Sequence, residues 1–245
     1  MLRPVRAVVV LPTYQEAANI VPVLRRIRAT GRADVVVVDD DSPDGTADLA
    51  EAVATELGGV HVLRRPGKAG FGPACRAGMA WALDRDYEVV VGMDADLSHD
   101  PAQLPDLLEA VAAGADLVVG SRYVPGGVIP TWPVHRRALS RWGNRYATVA
   151  LRLPLSDATS GYRAYRADAL RAIDLDRVRA DGYGFLIEMA YRIDRRGGRS
   201  AEVPIVFTDR TRDTSKMSLG IVAEAMGLVT LWAVRDRIAR RRHPI

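Results

Sequence analysis

The fold is indicated most directly by one stretch, Val89-Val90-Val91-Gly92-Met93-Asp94-Ala95-Asp96, in which a short apolar run leads into two carboxylates. A continuous run of valines is typical of a strand that is buried on both faces, as the strands of parallel sheets are. Four similar apolar runs occupy residues 5–11, 35–38, 60–63 and 117–119. The first half of the chain therefore predicts five buried strands, of which residues 89–91 form the fourth.

Segments of helical length and pattern separate these runs, at residues 17–29, 46–57, 73–83 and 101–112. Strands that alternate with helices are typical of a parallel sheet with helices on both faces. Because crossover connections are right-handed, the expected fold class is α/β with a Rossmann-like, doubly wound and mostly parallel sheet.

After Tyr123 the alternation ends, and prolines and glycines at 125–133 indicate an irregular loop. Beyond it the sequence predicts a basic amphipathic helix at residues 135–151, a short strand at 161–165 and a helix at 185–195. A strand at 201–207, a polar loop at 210–216 and a final helix at 219–234 complete the expected elements.

Composition limits the class of protein. With 245 residues, 48% of them hydrophobic, the chain can bury the core of one domain, or of one domain with an appendage. The single cysteine, Cys75, excludes an internal disulfide and fits a reducing compartment. Residues 7–11 are too short an apolar run for a signal peptide, and the 16 residues 219–234 are fewer than the roughly 20 needed to cross a bilayer.

Basic residues concentrate in two clusters, at Arg136, Arg137, Arg141 and Arg145 and at Arg235, Arg237, Arg240, Arg241 and Arg242. Such clusters suit an anionic membrane surface or nucleic acid, and equally a solvated face and tail. The helix at 135–151 mixes arginines with Trp142 and Tyr146, a pattern typical of helices that lie on anionic lipid. The apolar final helix is open to three interpretations: packing on the core, contact with a bilayer, or docking on a membrane-embedded partner.

Candidate chemistry lies where strands end, because ligands of open parallel sheets bind beyond the carboxyl ends of the strands. An Asp-x-Asp pattern occurs at 39/41, 84/86, 94/96 and 174/176. Only Asp94 and Asp96 directly follow the fourth strand, where two carboxylates suit Mg²⁺ or Mn²⁺ with diphosphate oxygens completing the shell. The alternative is that this pair caps the next helix. The run Asp39-Asp40-Asp41 is likewise either a turn and helix cap or a contact to a base or ribose.

Several common catalytic motifs are absent from the sequence. No glycine-rich phosphate loop follows the first strand, which argues against a dinucleotide dehydrogenase and a sugar-phosphate nucleotidyltransferase. No Walker motif, Gly-x-Ser-x-Gly elbow or metal-spaced histidine pair is present either.

Five motifs together resemble a known family. They are residues 11–16 (LPTYQE), 38–46 (VDDDSPDGT), 93–101 (MDADLSHDP), 120–123 (GSRY) and 159–163 (TSGYR). Their order and spacing resemble the GT-A-fold glycosyltransferases of family 2, and within them the polyprenol (dolichol) phosphate mannose synthases of the short actinobacterial type. The resemblance extends from about Ala7 to about Leu219.

The resemblance implies roles for individual residues. Pro12, Tyr14, Glu16, Val38 and Asp40 would hold the guanosine of the donor. Asp94 and Asp96 would bind Mg²⁺ or Mn²⁺, with Ala95 against the nucleotide. Arg122 and Arg136 would bind the acceptor phosphate where transfer occurs, and Arg122 would also contact the nucleotide sugar. Asp96, Arg122 and Arg136 would form the catalytic set, and Arg210 and Lys216 would close over the diphosphate of the nucleotide sugar. Two positions depart from the family, since Asp41 stands where Asn or Gly is usual and Asp213 where Gly is usual.

The resemblance also implies an activity and an organisation. The expected reaction is inverting transfer of mannose from GDP-mannose to polyprenyl phosphate; transfer of glucose from UDP-glucose is the alternative, and a sugar-phosphate nucleotidyltransferase is the alternative from another class. The expected catalytic domain is 1–217, with a nucleotide-sugar half at about 1–121 and an acceptor half at about 122–217, followed by a C-terminal helix and basic tail at 218–245. Its partners would be GDP-mannose, the polyprenyl phosphate lipid and a membrane surface, with a membrane-embedded partner protein left open and no nucleic acid. The expected location is cytoplasmic, peripheral on the inner face of the cell membrane.

Overall fold

A computed structural model of the protein describes residues 5–209 and 219–242. Within this part of the chain a seven-stranded sheet forms the centre of the molecule, in the order β3-β2-β1-β4-β6-β5-β7. The strands are β1 (Ala7–Thr13), β2 (Asp34–Asp39), β3 (Val60–Arg64), β4 (Val89–Gly92), β5 (Leu117–Ser121), β6 (Arg163–Arg166) and β7 (Ser200–Pro204). All neighbouring strands pair in parallel except β6, which runs antiparallel to both β4 and β5.

Helices cover both faces of the sheet, which confirms the expected α/β class. They are α1 (Ala17–Ala29), α2 (Thr46–Leu57), α3 (Phe71–Leu83), α4 (Leu104–Ala112), α5 (Val134–Leu151), α6 (Ala167–Ile173), α7 (Gly182–Arg195) and α8 (Leu219–Arg242). In β1 the side chains alternate between the two cores: Val8 and Val10 pack on the side of α3, α5 and α7, and Val9 and Leu11 on the side of α1, α2 and α4. All four side chains are fully buried, so the valine runs behave as strands covered on both sides.

Several boundaries differ from the sequence prediction. Helices α3 and α7 begin two and three residues earlier than predicted, at Phe71 and Gly182. Asp181 explains both starts, because its carboxylate accepts hydrogen bonds from the backbone N–H groups of Gly72 and Gly182. Helix α6 was not predicted, since seven residues directly after β6 are too few to show a helical period.

The antiparallel strand β6 shapes the functional edge of the sheet. Its first residue, Arg163, pairs with Gly92 at the carboxyl end of β4 and with Val119 near the carboxyl end of β5. The loop that precedes β6 therefore lies at the same edge as the residues that follow β4 and β5.

Helix α8 packs on α5 and α7 through the buried residues Ala225, Val229 and Ala233. Its Asp236 accepts hydrogen bonds from Tyr191 and Arg195 of α7. Helix α8 therefore packs on the core, which is one of the three roles expected for it. Other apolar side chains of the helix, Leu231, Val234 and Ile238, are exposed. Among the described helices, none combines the length and the apolar character that a membrane span needs.

Candidate active site

The loops that follow β1 and β2 are joined by hydrogen bonds. Backbone N–H groups of Gln15, Glu16 and Ala17 donate to the side chains of Ser42, Thr46 and Asp44 respectively. These bonds satisfy donors at the start of α1 that lack partners within the helix. The predicted nucleotide residues Pro12, Tyr14 and Glu16 are thereby held in one fixed segment, and the amine of Lys68 lies 4.0 Å from the centre of the Tyr14 ring.

The three aspartates after β2 have different roles. Asp39 forms a turn, because its carboxylate accepts hydrogen bonds from the N–H and hydroxyl of Ser42. Asp40 is buried and accepts from the side chain of Arg65 and the N–H of Ala69. Asp41 is exposed with φ at 58°, a left-handed conformation that Gly and Asn adopt most readily, which accounts for the family's usual residues at this position. The turn interpretation therefore holds for Asp39.

Val38 differs from the other predicted nucleotide residues. Its side chain is fully buried and packs against α3, where a Cβ added at Gly78 would lie 2.8 Å from Cγ2 of Val38. The side chain therefore has no surface to offer a ligand, and a contact at this position would have to come from the backbone.

The two carboxylates after β4 lie as predicted at the carboxyl edge of the sheet. Asp96 is 6% exposed and accepts a hydrogen bond from the N–H of Ser98 at 3.0 Å, while Asp94 is partly exposed. The next helical turn is capped by Asp100, which accepts from the N–H of Ala102, so the pair is not needed as a cap. The Asp-x-Asp pairs at 84/86 and 174/176 are exposed at surface turns.

The donor set at this edge fits a hard divalent cation. Carboxylate oxygens are the ligands that Mg²⁺ and Mn²⁺ prefer, and such ions commonly take only one or two carboxylates and complete the shell with substrate phosphates. Within the described residues no group of three or more acidic, His or Cys side chains converges on such a site. Such an ion would complete its shell with substrate phosphates and water, as Mg²⁺ commonly does. Gly161 adjoins Asp94 so closely that an added Cβ would lie 3.2 Å from Oδ1 of Asp94.

Arg122, predicted to bind phosphate, follows β5 and is held by a residue that the sequence did not single out. Its Nε and Nη2 donate to the two carboxylate oxygens of Asp157 at 2.7 and 2.8 Å, and Nη2 also donates to Thr159. Burial raises the pKa of Asp157, but the charge and hydrogen bonds of Arg122 outweigh that effect and hold the pKa below its usual value of 3.8. The ion pair therefore stays charged at neutral pH.

Arg136, the second predicted phosphate residue, lies in the first turn of α5. Its Nη1 is 3.2 and 3.4 Å from the carboxylate oxygens of Asp209. Its guanidinium lies 4.0 Å from the centre of the Trp132 ring, and that of Arg122 lies 5.6 Å from the same ring. Trp132, which sequence reasoning treated only as part of a loop, thus contacts both arginines. The predicted closing residues Arg210 and Lys216, together with Asp213, lie outside the described residues.

The motif at 159–163 proves to be a structural support for this edge. Arg163 is fully buried and donates three hydrogen bonds, to the carbonyls of Ala158, Ser160 and Leu186. Two of these carbonyls belong to the loop that carries Asp157. The buried arginine therefore fixes that loop and has no exposed surface to offer a substrate.

An apolar cavity of about 80 Å³ lies beside Arg122, between α5, α7 and α8. Ile187, Ala225, Met226 and Val229 are among its lining residues, and Arg122 and Thr159 also border it. On the outside of α5, Val134, Trp142 and Val149 are 78%, 53% and 65% exposed. They alternate with the exposed Arg141 and Arg145, so the solvent face of α5 is both apolar and basic.

Curated relatives resemble the chain over nearly its whole length. An undecaprenyl-phosphate mannosyltransferase of Micrococcus luteus is 52% identical over 95% of this chain and 96% of the relative. A polyprenol monophosphomannose synthase of Mycolicibacterium smegmatis is 46% identical, covering 97% of this chain and 90% of the relative. A dolichol-phosphate mannosyltransferase of Pyrococcus furiosus is 35% identical over 85% of this chain, which spans 58% of that longer protein.

Among solved structures, glucosyl-3-phosphoglycerate synthase of Mycobacterium tuberculosis, in complex with Mn²⁺, UDP and phosphoglyceric acid, superimposes with a TM-score of 0.68. Identity is 22%, and the match covers 95% of this chain and 78% of that one, so this likeness supports the fold. The model of the family described as glycosyl transferase family 2 matches residues 8–174, which include β1 to β6 and both carboxylates after β4. The chain is therefore a member of glycosyl transferase family 2, with the GT-A fold.

Proposed function

We propose that the protein transfers mannose from GDP-mannose to polyprenyl monophosphate, giving polyprenyl phosphate β-mannose and GDP. One arrangement carries the proposal: in the loop before β6, Gly161 lies beside Asp94 and Asp157 binds Arg122, next to an apolar cavity. A carboxylate pair for a nucleotide diphosphate, an arginine for a second phosphate and an apolar space for a lipid thus adjoin one another. The names of the two actinobacterial relatives support mannose and a polyprenyl phosphate as substrates.

On the donor side, Asp94 and Asp96 would hold Mg²⁺ or Mn²⁺ against the diphosphate of GDP-mannose. When bound, such an ion supplies Lewis-acid assistance by neutralising the charge of the leaving diphosphate. Tyr14, Glu16 and Asp40 would lie along the guanosine, and Arg210 and Lys216 would add positive charge over the diphosphate.

On the acceptor side, a lipid phosphate is already ionised at neutral pH, so its oxygen needs no dedicated general base. The difficulty is the repulsion between an anionic acceptor and an anionic donor. Arg122 and Arg136 would offset it through charge-assisted hydrogen bonds. A phosphate oxygen then forms the bond to the anomeric carbon as the bond from that carbon to the diphosphate oxygen breaks. Displacement from the opposite face inverts the configuration, so an α-linked donor gives a β-linked product.

The lipid requires that the enzyme work at a membrane. The apolar and basic face of α5 fits an anionic surface, where Trp142 and Val149 would enter the interface and Arg141 and Arg145 would meet the headgroups. Since the donor is a cytoplasmic nucleotide sugar, we place the protein at the inner face of the cell membrane as a peripheral protein.

The test is transfer of radiolabelled mannose from GDP-mannose to a short polyprenyl phosphate, with Mg²⁺, with Mn²⁺ and with EDTA. Wild type is compared with Asp96→Asn, which keeps the shape of the side chain but removes its charge. The matched control is Asp86→Asn, in an Asp-x-Asp pair that is exposed at a surface turn. Metal-dependent label in the organic phase, lost in Asp96→Asn and kept in Asp86→Asn, is the expected result. Label from UDP-glucose in place of GDP-mannose would overturn the proposed donor.

A further inference from the structure

The hydrogen bonds of Arg122 restrict which part of its guanidinium can contact a substrate. A guanidinium carries five N–H donors, one on Nε and two on each of the other nitrogens. Nε and one donor of Nη2 bind Asp157, and the second donor of Nη2 binds Thr159 at 2.8 Å. Nη1 makes no hydrogen bond to any described residue. The two-nitrogen edge with which an arginine usually binds an anion is therefore already occupied.

The ion pair is also deeply buried and tightly bonded. The Asp157 side chain is 0% exposed and that of Arg122 is 5% exposed. The Asp157 carboxylate accepts further hydrogen bonds from the backbone N–H groups of Arg122, Thr159 and Ser160. Because every bond of this carboxylate favours its charged form, the pair acts as a fixed, internally neutralised unit.

The loop that carries Asp157 is anchored to three different elements. Glu202 of β7 accepts from the N–H of Asp157, and Asn144 of α5 accepts from the N–H of Ala158. Arg163 of β6 donates to the carbonyls on both sides of Thr159. Because these partners come from regular elements, the position of the carboxylate is set by the fold and not by the loop alone.

Three aromatic rings lie close to the guanidinium. The centres of the rings of Tyr123, Trp132 and Phe207 lie 5.4, 5.6 and 5.4 Å from Cζ of Arg122. The rings and the two hydrogen bonds to Asp157 together restrict the orientation of the side chain.

We infer that Asp157 is a positioning residue, which holds Arg122 so that the acceptor phosphate is bound by Nη1 alone. The inference rests on the proposed function and makes it more specific. Arg122 then contributes two directed N–H groups, while its charge is offset by Asp157.

The test is a double-mutant cycle between Asp157→Asn and Arg122→Lys, with kcat/KM for polyprenyl phosphate measured at saturating GDP-mannose. Each single change should lower this value by about 10- to 100-fold, as expected for a misdirected contact group. Because Asp157 acts through Arg122, kcat/KM of the double variant should be close to that of the less active single variant. The same cycle between Asp157→Asn and Arg136→Lys is the matched control, and there the two effects should multiply.

Two further measurements separate positioning from folding. Affinity for GDP, measured by calorimetry with Mn²⁺, should stay within about twofold of wild type in Asp157→Asn, since Asp157 is not among the residues predicted to hold the guanosine or the metal. If Asp157→Asn does not fold, Thr159→Val leaves the Asp157 carboxylate in place and removes the Thr159 hydroxyl, which accepts from Nη2 of Arg122 and from Asn144 and donates to Asp157. It should lower kcat/KM for the acceptor by a smaller factor, without an additive effect in the Arg122→Lys background.

Additive effects in the first cycle, or an equal loss of GDP affinity, would overturn the positioning role. Failure of the proposed function looks different, because it would appear in wild type as absence of transfer to polyprenyl phosphate. In that case the cycle is measured with whichever phosphate acceptor wild type uses, and additivity there would still overturn the inference.

Discussion

The most direct test of the metal site is a methyl group placed beside Asp94. In Gly161→Ala the added Cβ would lie 3.2 Å from Oδ1 and 3.4 Å from Oδ2 of the Asp94 carboxylate. The first distance is shorter than ordinary contact, so the carboxylate must move by a few tenths of an ångström. Gly161 has no left-handed backbone conformation, and the three atoms nearest to the added Cβ all belong to Asp94. The substitution therefore acts mainly on this carboxylate.

A carboxylate movement of a few tenths of an ångström is at or beyond the displacement that a metal site tolerates. Ligand distances in such sites must be kept within about 0.2 Å. Displacing one of the two proposed carboxylate ligands by this amount should weaken metal binding about 10- to 100-fold, as loss of an orienting partner does, which corresponds to about 1.4–2.7 kcal/mol. Because no core residue is displaced, the melting temperature should change by less than about 2 °C.

The assay is a Mn²⁺ titration of sugar transfer, together with direct Mn²⁺ binding followed by electron paramagnetic resonance in the presence of GDP. Gly227→Ala in α8 is the matched control, because nothing lies within 4 Å of its added Cβ. A higher half-saturating Mn²⁺ concentration in Gly161→Ala alone is expected. Equal Mn²⁺ requirements in the two variants would refute the assignment of Asp94 as a metal ligand.

Three other predictions concern packing, membrane binding and acid stability. Gly78→Ala should destabilise the fold by about 1–3 kcal/mol in urea unfolding, since its Cβ would lie 2.4 Å from Val10 and 2.8 Å from Val38; an unchanged midpoint would contradict this packing. Trp142→Glu should reduce flotation with anionic vesicles while transfer in detergent is retained, and equal flotation would exclude the α5 face. Because the folded pKa of Asp157 is below its usual value of 3.8, the stability it contributes should be constant from pH 5 to 8 and be lost only as pH falls below 3.8 towards the folded pKa. Urea midpoints of wild type and Asp157→Asn should therefore differ by a constant amount above pH 5, and a difference that changes between pH 5 and 8 would count against the charged pair.

Much of the architecture was predictable from local patterns. The valine runs gave five strands because a strand buried on both faces needs apolar residues in succession, and β1 shows the expected alternation between two cores. The place of Asp94 and Asp96 followed from the same reasoning, since residues after parallel strands meet at one edge. The specific roles of the nucleotide residues remain predictions. Val38 differs from the others, because its buried side chain leaves only its backbone to contact the nucleotide.

The partners of the arginines were not predictable in this way. Asp157 lies 35 residues from Arg122 along the chain and carries no periodic signal. The sequence signal available was its place just before the motif at 159–163, but that motif was used only for the family resemblance and was given no structural role. Arg163 turned out to bind three carbonyls, which makes the motif a support for the Asp157 loop.

The sequence by itself thus determined most of the strands and helices, though not α6, and it located the acidic pair, because these depend on short-range periodicity and on the residues that come directly after each strand. Only the tertiary structure decided the direction of β6. Strand direction depends on long-range pairing, and four residues at 163–166 contain no information on whether their neighbours will run parallel or antiparallel. That reversal brings the loop with Asp157 and Gly161 to the carboxyl edge, where it touches Arg122 on one side and Asp94 on the other.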